Sequence, residues 1–138
     1  MLIDANIFLE VFLKQEKSMF CKILLEKLRK GDITAHVSSF TMDAIIISLG
    51  RSGVELKTIE ELFLSILNYK GIFIYIPKIS DRINAFLLMK RGLDFEDALT
   101  LQCAISNNIK EIVSYDKHFD KIKNIKRLKP EEINHPSQ

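Results

Sequence analysis

Four aspartates stand at positions from which they could bind a divalent cation together. These residues are Asp4, Asp43, Asp97 and Asp116. Two carboxylates about 4 Å apart repel by roughly 4 kcal/mol at an effective dielectric near 20, so a cluster of them stays ionised only beside a cation. Oxygen ligands of this kind favour Mg²⁺ or Mn²⁺ over Zn²⁺. The aspartates therefore predict a magnesium or manganese site, provided that the fold brings them together.

Asp4 and Asp116 each follow an apolar segment that predicts a β-strand. Asp4 comes directly after residues 1–3, and Asp116 lies in the turn that follows residues 111–114. Both positions have a structural alternative, because Asp4 can cap the next helix and turns favour Asp for local hydrogen bonds. Asn6, two residues beyond Asp4, can hold a carboxylate in position by hydrogen bonding.

Asp97 lies on the apolar side of a predicted helix. Helical spacing places it in line with Leu101 and Ala104. An aspartate on a buried face is rare unless it has a partner, so this position points to a ligand or a strong hydrogen-bond donor. Its neighbours Asp94 and Glu96 are better explained as helix-start residues that interact favourably with the helix dipole.

Other polar residues have weaker claims to the site. Asp120, four residues beyond Asp116, is placed as a group that acts on the site indirectly or through water. No histidine or cysteine stands in a zinc-binding spacing; these residues are His36, His118, His135, Cys21 and Cys103. We expect the histidines to be isolated at the surface or at strand ends, and the cysteines to be small buried hydrophobes.

The elements that must position these aspartates alternate along the chain. Apolar runs predict strands at 1–3, 33–37, 72–76, 111–114 and 125–128, and amphipathic periodicity predicts helices at 6–13, 18–30, 39–49, 54–68, 79–91 and 95–107. Strands that alternate with helices through short links predict an α/β fold, with a central parallel sheet of four to five strands covered on both faces. Such sheets bind ligands at the carboxyl ends of their strands, which is where Asp4 and Asp116 lie.

Length and composition limit the possibilities further. The 138 residues, 47% of them hydrophobic, predict one globular domain over 1–130 and a polar tail over 131–138 that frays. A net charge of +2 is too small for a protein that coats nucleic acid by bulk charge, although a locally basic groove stays open. No secretory signal and no apolar run of about 18 residues is evident, so we expect a cytoplasmic protein that does not enter a membrane.

Three short motifs together resemble those of PIN-domain ribonucleases, and most closely VapC-type toxins of toxin–antitoxin pairs. The motifs are residues 2–9 around Asp4, the pair Asp97-Ala98 at a helix start, and residues 114–119 around Asp116. The resemblance implies a three-layer α/β/α fold, a site for Mg²⁺ or Mn²⁺, and hydrolysis of phosphodiester bonds in single-stranded RNA. It makes Asp4, Asp97 and Asp116 the first, third and fourth acidic positions, with Asn6 and Ser114 as supporting polar residues.

The second acidic position departs from the family pattern. The family generally has Glu on the helix after the second strand, and the matching helix here has Asp43. Asp is one methylene shorter, so Asp43 is expected to reach a metal through water. Apolar neighbours such as Ile45, Ile46 and Ile47 suggest that the Asp43 carboxylate faces a polar group.

Two other functions and two protein partners stay open at this stage. A catalytically weak PIN-like protein that binds RNA or acts as a scaffold is the leading alternative, because the second carboxylate is shortened. An aspartyl-phosphate receiver or phosphatase is the other, but the Asp-x-Asp pair of such phosphatases is missing after the first strand. The resemblance also implies a homodimer and an antitoxin peptide that blocks the acidic groove.

Overall fold

A five-stranded parallel sheet forms the centre of the protein. The computed structural model describes residues 1–134. The strands are β1 Leu2–Ile3, β2 Ala35–Ser38, β3 Ile72–Tyr75, β4 Glu111–Val113 and β5 Lys126–Leu128. Their order across the sheet is β3-β2-β1-β4-β5. Every neighbouring pair is parallel, with Leu2 in register with His36 on one side and Ile112 on the other. The predicted parallel α/β sheet is therefore confirmed.

Helices cover both faces of this sheet and complete the three layers. They are α1 Ala5–Phe12, α2 Ser18–Lys30, α3 Ser39–Arg51, α4 Leu56–Leu67, α5 Ile79–Met89, α6 Phe95–Ser106 and α7 Pro130–Asn134, with a 3₁₀ helix at Lys117–Lys121. The predicted helix bounds agree with the observed ones to within two residues. Helix α3, for example, continues through Gly50 to Arg51, two residues beyond its predicted end. The second strand begins at Ala35, two residues later than predicted.

The alternation of side chains along the strands separates two hydrophobic cores. Ile3, Val37 and Val113 point to the side covered by α1 to α4, whereas Leu2 and Ile112 point to the side covered by α5 and α6. All five of these side chains have no exposed surface. Because both faces of the sheet are buried, the carboxyl ends of the central strands are its polar, accessible edge.

The C-terminal tail differs from its prediction. Residues 130–134 form α7, which packs on α2. The Asn134 side chain donates to the Phe20 carbonyl at 2.9 Å, and the Tyr115 hydroxyl donates to Glu131. Partners on distant parts of the chain hold this segment, so the predicted boundary at residue 130 falls inside a packed helix. The rest of the predicted tail, 135–138, lies outside the described residues.

Within residues 1–134, none of the helices combines the length and the apolar character that crossing a lipid bilayer requires.

Candidate metal centre

An acidic pocket of about 280 Å³ opens at the carboxyl edge of the two central strands. Asp4 follows β1, Asp116 follows β4, and Asp97 lies in the first turn of α6. The pocket is lined by Asp4, Ala5, Asn6, Leu9, Asp94, Glu96, Asp97, Asp116 and His118. The fold thus brings three of the four predicted ligands together, although they are up to 112 residues apart in the chain.

Asp4 is both a helix cap and a pocket residue. One carboxylate oxygen accepts from the Ala5 backbone N–H at 2.8 Å, and the other accepts from the Ser114 hydroxyl at 2.6 Å. Burial, with a smaller contribution from the repulsion of Asp116 and Glu96, raises the pKa of Asp4 to about 6. The two hydrogen bonds act in the opposite direction and lower it. Asp4 therefore caps helix α1 and also lines the acidic pocket, so the two interpretations of this residue do not exclude each other.

Ser114 links three polar groups at the base of the pocket. Its hydroxyl donates to Asp4 and accepts from the Asn6 side-chain amide at 3.1 Å and from the Asp116 backbone N–H at 2.9 Å. Ser114 is fully buried, so this network fixes where β1 and β4 present their aspartates. The Asn6 side-chain oxygen is buried and has no hydrogen-bond partner among residues 1–134. It is an acceptor that a metal-bound water would satisfy.

Asp97 is a second carboxylate of the pocket that resists ionisation. Burial, together with repulsion from Asp116, Asp94 and Asp4, raises its pKa to about 7. The Asp97 backbone N–H donates to Asp94, the helix cap, at 2.8 Å, which fixes the direction of the first turn of α6. A buried carboxylate surrounded by other carboxylates is stabilised when a cation enters.

His118 completes a three-residue cluster with Asp97 and Asp116. Its Nδ1 lies 3.1 Å from an Asp116 oxygen and 3.4 Å from an Asp97 oxygen. One donor atom from each of the three residues lies within 4.8 Å of the others. The prediction that His118 is isolated was therefore wrong. The one sequence signal was its position two residues after Asp116, because the 3₁₀ turn that begins there folds the ring back over the site.

Asp43 lies outside this pocket. It is exposed on α3, and the nearby Ile46 and Ile47 are exposed as well, whereas Thr41, Met42 and Ile45 form the buried face. The apolar neighbours that suggested a polar partner are thus partly solvent-facing. A role for Asp43 at the metal stays a prediction.

Asp120 binds a cationic side chain. Both of its carboxylate oxygens accept from the Arg127 guanidinium, at 2.9 and 3.1 Å. Arg127 also donates to the Ser114 carbonyl at 3.1 Å. Asp120 is therefore connected to the pocket through Arg127 and the backbone of Ser114, and an indirect action on the site stays a prediction.

The donors of the pocket fit a divalent cation. Asp97 and Asp116 offer converging oxygens, Asp4 adds a third carboxylate at the pocket wall, and the Asn6 oxygen can accept from a coordinated water. Oxygen-rich sites of this kind suit Mg²⁺ and Mn²⁺.

Comparison with known proteins identifies the family of this fold. The sequence model for the PIN domain matches residues 1–125. A search of curated protein sequences gave no match.

Solved structures of toxin proteins share this fold at low sequence identity. A toxin–antitoxin complex from Klebsiella pneumoniae is 18% identical, with a TM-score of 0.64 over 94% of this chain and 96% of that one. Mycobacterium tuberculosis VapC20, a toxin that cleaves the sarcin–ricin loop, is 12% identical, with a TM-score of 0.71 over 86% of this chain and 92% of that one. Rickettsia felis VapBC2, bound to a promoter DNA fragment, is 18% identical, with a TM-score of 0.65 over 93% of this chain and 96% of that one.

Proposed function

The chain belongs to the PIN domain family, a family of nucleases. We propose that it is an endoribonuclease. In this proposal it uses Mg²⁺ or Mn²⁺ to hydrolyse phosphodiester bonds in single-stranded RNA. The observation that carries the proposal is the convergence of Asp4, Asp97 and Asp116 in one pocket at the sheet edge. Their repulsion and burial make the metal-free pocket costly to ionise, so a cation is the partner that this arrangement favours.

Each residue of the pocket has a distinct part in this proposal. A bound divalent cation would lower the pKa of a water and neutralise charge on the phosphate. Asp97 and Asp116 would hold that cation, because their oxygens converge most closely. Asp4, fixed by Ser114 and by the Ala5 backbone, would orient a coordinated water or bind the cation as a third carboxylate. Asn6 would accept a hydrogen bond from that water.

A neighbouring pocket offers basic side chains that would contact a nucleic-acid backbone. Its volume is about 390 Å³, and it surrounds Tyr115, the residue before Asp116. Four basic and three acidic side chains line it: Lys17, Lys117, Arg127, Lys129, Glu10, Glu16 and Glu131. Lysines beside the acidic pocket would contact phosphates that flank the cleaved bond, since backbone phosphates receive most of the polar contacts that position nucleic acids.

Cleavage of a labelled single-stranded RNA by the purified protein tests the proposal. We expect cleavage in Mn²⁺ or Mg²⁺, none in EDTA, and none by Asp97→Asn with either metal. Asp32→Asn is the matched control, because Asp32 is an exposed aspartate outside the acidic pocket. Metal-independent cleavage, or full activity of Asp97→Asn, would refute the assignment.

We also propose that the protein is the toxin of a toxin–antitoxin pair. Two of the similar structures are toxin–antitoxin assemblies, the complex from Klebsiella pneumoniae and VapBC2 from Rickettsia felis. Expression of the wild-type chain in a bacterial host is expected to arrest growth, whereas Asp97→Asn is expected to be harmless at equal abundance. Equal growth of both strains would count against a toxic nuclease.

The outer face of α5 supports a homodimer. Ile79, Ile83, Phe86 and Leu87 are each more than half exposed, while Asp81, Ala85 and Leu88 on the opposite face are buried. Phe73 on the edge strand β3 and Ile76 just after it extend this apolar surface. Six large apolar side chains exposed in this way are typical of a surface that contacts another protein.

Because six large apolar side chains lie exposed on this surface, flanked by Arg82 and Lys90, we propose a second copy of the chain as its partner. Sedimentation analysis is expected to show a dimer for the wild type and a monomer for Phe86→Asp. Leu56→Asp, at an exposed leucine on α4, is the matched control and is expected to stay dimeric. A monomeric wild type, or a dimeric Phe86→Asp, would exclude this surface as the dimer interface.

One observation favours the alternative of a catalytically weak RNA-binding or scaffold protein. Asp43 is exposed and outside the pocket, so three of the four predicted acidic positions, Asp4, Asp97 and Asp116, line it. RNA binding without cleavage, together with no increase in melting temperature on adding Mn²⁺, would support that alternative.

A further inference from the structure

His118 brings a nitrogen donor into a site that is otherwise made of oxygen donors. Its Nδ1 is the ring atom nearest to both Asp97 and Asp116, at 3.4 and 3.1 Å from their carboxylate oxygens. These separations leave room for a cation between the three atoms, because ligands of one metal lie about 3 Å from each other when each is about 2.1 Å from the ion. The ring thus stands where a third ligand would stand.

The backbone holds His118 in this place. Its N–H donates to the Asp116 side chain at 2.9 Å, and the next residue, Phe119, is fully buried in the core beside α6. The ring itself is 61% exposed and faces the pocket from its rim. Nδ1 can therefore present its lone pair inward while the hydrogen on Nε2 is solvated by water.

We propose that His118 is a metal ligand that makes this site select Mn²⁺ over Mg²⁺, an inference that rests on the proposed metal site. Imidazole is a common ligand of first-row transition metals, whereas Mg²⁺ prefers oxygen ligands and keeps most of its waters. A carboxylate pair alone binds both ions. Adding one imidazole nitrogen improves the site for Mn²⁺ and contributes little for Mg²⁺.

The selectivity is tested by calorimetric titration of the metal-free protein with each ion. Removing the nitrogen in His118→Ala is expected to weaken Mn²⁺ binding at least about tenfold and to change Mg²⁺ binding by no more than about threefold. His36→Gln is the matched control, because His36 lies on β2 and lines none of the acidic pocket. Circular dichroism melting checks that each variant is folded. Equal loss of both ions in His118→Ala would overturn the proposal.

Electron spin-echo measurements on the Mn²⁺-loaded protein observe the ligand directly. A nitrogen coupling from a bound imidazole is expected in the wild type and in His36→Gln, and its absence is expected in His118→Ala. Mn²⁺ bound without a nitrogen coupling would overturn the role of His118 and leave the nuclease proposal standing. No binding of either ion to the wild type would overturn both.

Discussion

Two buried aspartates in the first turns of adjacent helices have opposite environments. Asp81 of α5 accepts hydrogen bonds from the Tyr75 hydroxyl at 2.6 Å, the Lys78 backbone N–H at 2.7 Å and the Ser106 hydroxyl at 2.5 Å. Burial opposes its ionisation, but these hydrogen bonds outweigh that effect and lower its pKa. Asp97 of α6 is surrounded by other carboxylates, and burial and their repulsion raise its pKa to about 7.

The contrast separates a structural carboxylate from one that awaits a ligand. Asp81 has its charge satisfied by donors of the chain, and these donors join β3, α5 and α6. Asp97 lies in an open pocket among other carboxylates, with the His118 ring nitrogen 3.4 Å from one of its oxygens. Burial alone therefore does not identify a functional aspartate; the balance between hydrogen-bond donors and neighbouring carboxylates does.

The largest expected effect is on catalysis, when Asp97 is changed to Asn. Asn keeps the size of the side chain but lacks the charge that holds a cation. We expect RNA cleavage to fall by more than about 100-fold and the Mn²⁺-induced rise in melting temperature to disappear. Initial rates on a labelled RNA and thermal melts check this. A variant that keeps both properties would show that Asp97 resembles Asp81 in being structural.

The second effect is on stability, when Asp81 is changed to Ala. The change leaves three donors without their acceptor. Two of them, the Tyr75 hydroxyl of β3 and the Ser106 hydroxyl of α6, connect α5 to its neighbouring elements. We expect the free energy of unfolding to fall by about 3 kcal/mol, with Mn²⁺ affinity of the folded fraction unchanged. Urea unfolding gives the first quantity and calorimetry the second. A weaker metal affinity in a folded Asp81→Ala would break the distinction between the two residues.

The third effect is a pH dependence of the metal-free protein. A carboxyl whose pKa is raised on folding binds more protons when folded, so stability falls as pH rises from about 4 to about 7. Asp97→Asn removes one such carboxyl and is expected to be more stable than the wild type in EDTA at pH 8, by about 2 kcal/mol. At pH 4 the two proteins should be nearly equal. Urea unfolding at the two pH values provides the test, and a less stable Asp97→Asn at pH 8 would contradict the raised pKa.

The smallest effect is expected for Asp43→Asn. Its exposed carboxylate lies outside the pocket, so its action would be through water or long-range charge. We expect cleavage to fall no more than about fivefold, in line with the screening of exposed charges. Rates measured beside those of Asp97→Asn decide this. A loss as large as that of Asp97→Asn would place Asp43 among the metal ligands, as the family pattern predicts.

The sequence predicted the fold and the centre of the site because both follow simple rules. Hydrophobic periodicity located the helices and strands, and the rule that ligands bind at the carboxyl ends of parallel strands brought Asp4 and Asp116 together. The apolar stripe of α6 placed Asp97 on the inner side. Burial of the Asp4 carboxylate also follows from this, since it comes directly after a fully buried strand.

The errors concern features that depend on distant contacts or on exact turn geometry. His118 enters the site because a 3₁₀ turn follows Asp116, which spacing does not specify. Helix α7 forms because α2 and Tyr115 provide partners far along the chain. Asp43 is a separate case: it faces solvent although its helix neighbours are buried, since one residue turns a helix by about 100°, and its role at the metal stays a prediction.

The most direct test of the metal centre is anomalous diffraction from a crystal grown or soaked with Mn²⁺ near pH 8, where Asp4 and Asp97 are ionised. We predict a peak in the acidic pocket, about 2.0–2.5 Å from carboxylate oxygens of Asp97 and Asp116, that is absent from Asp97→Asn crystals. Full-occupancy Mn²⁺ elsewhere with none in this pocket, or a pocket that stays empty at millimolar Mn²⁺, would contradict the account.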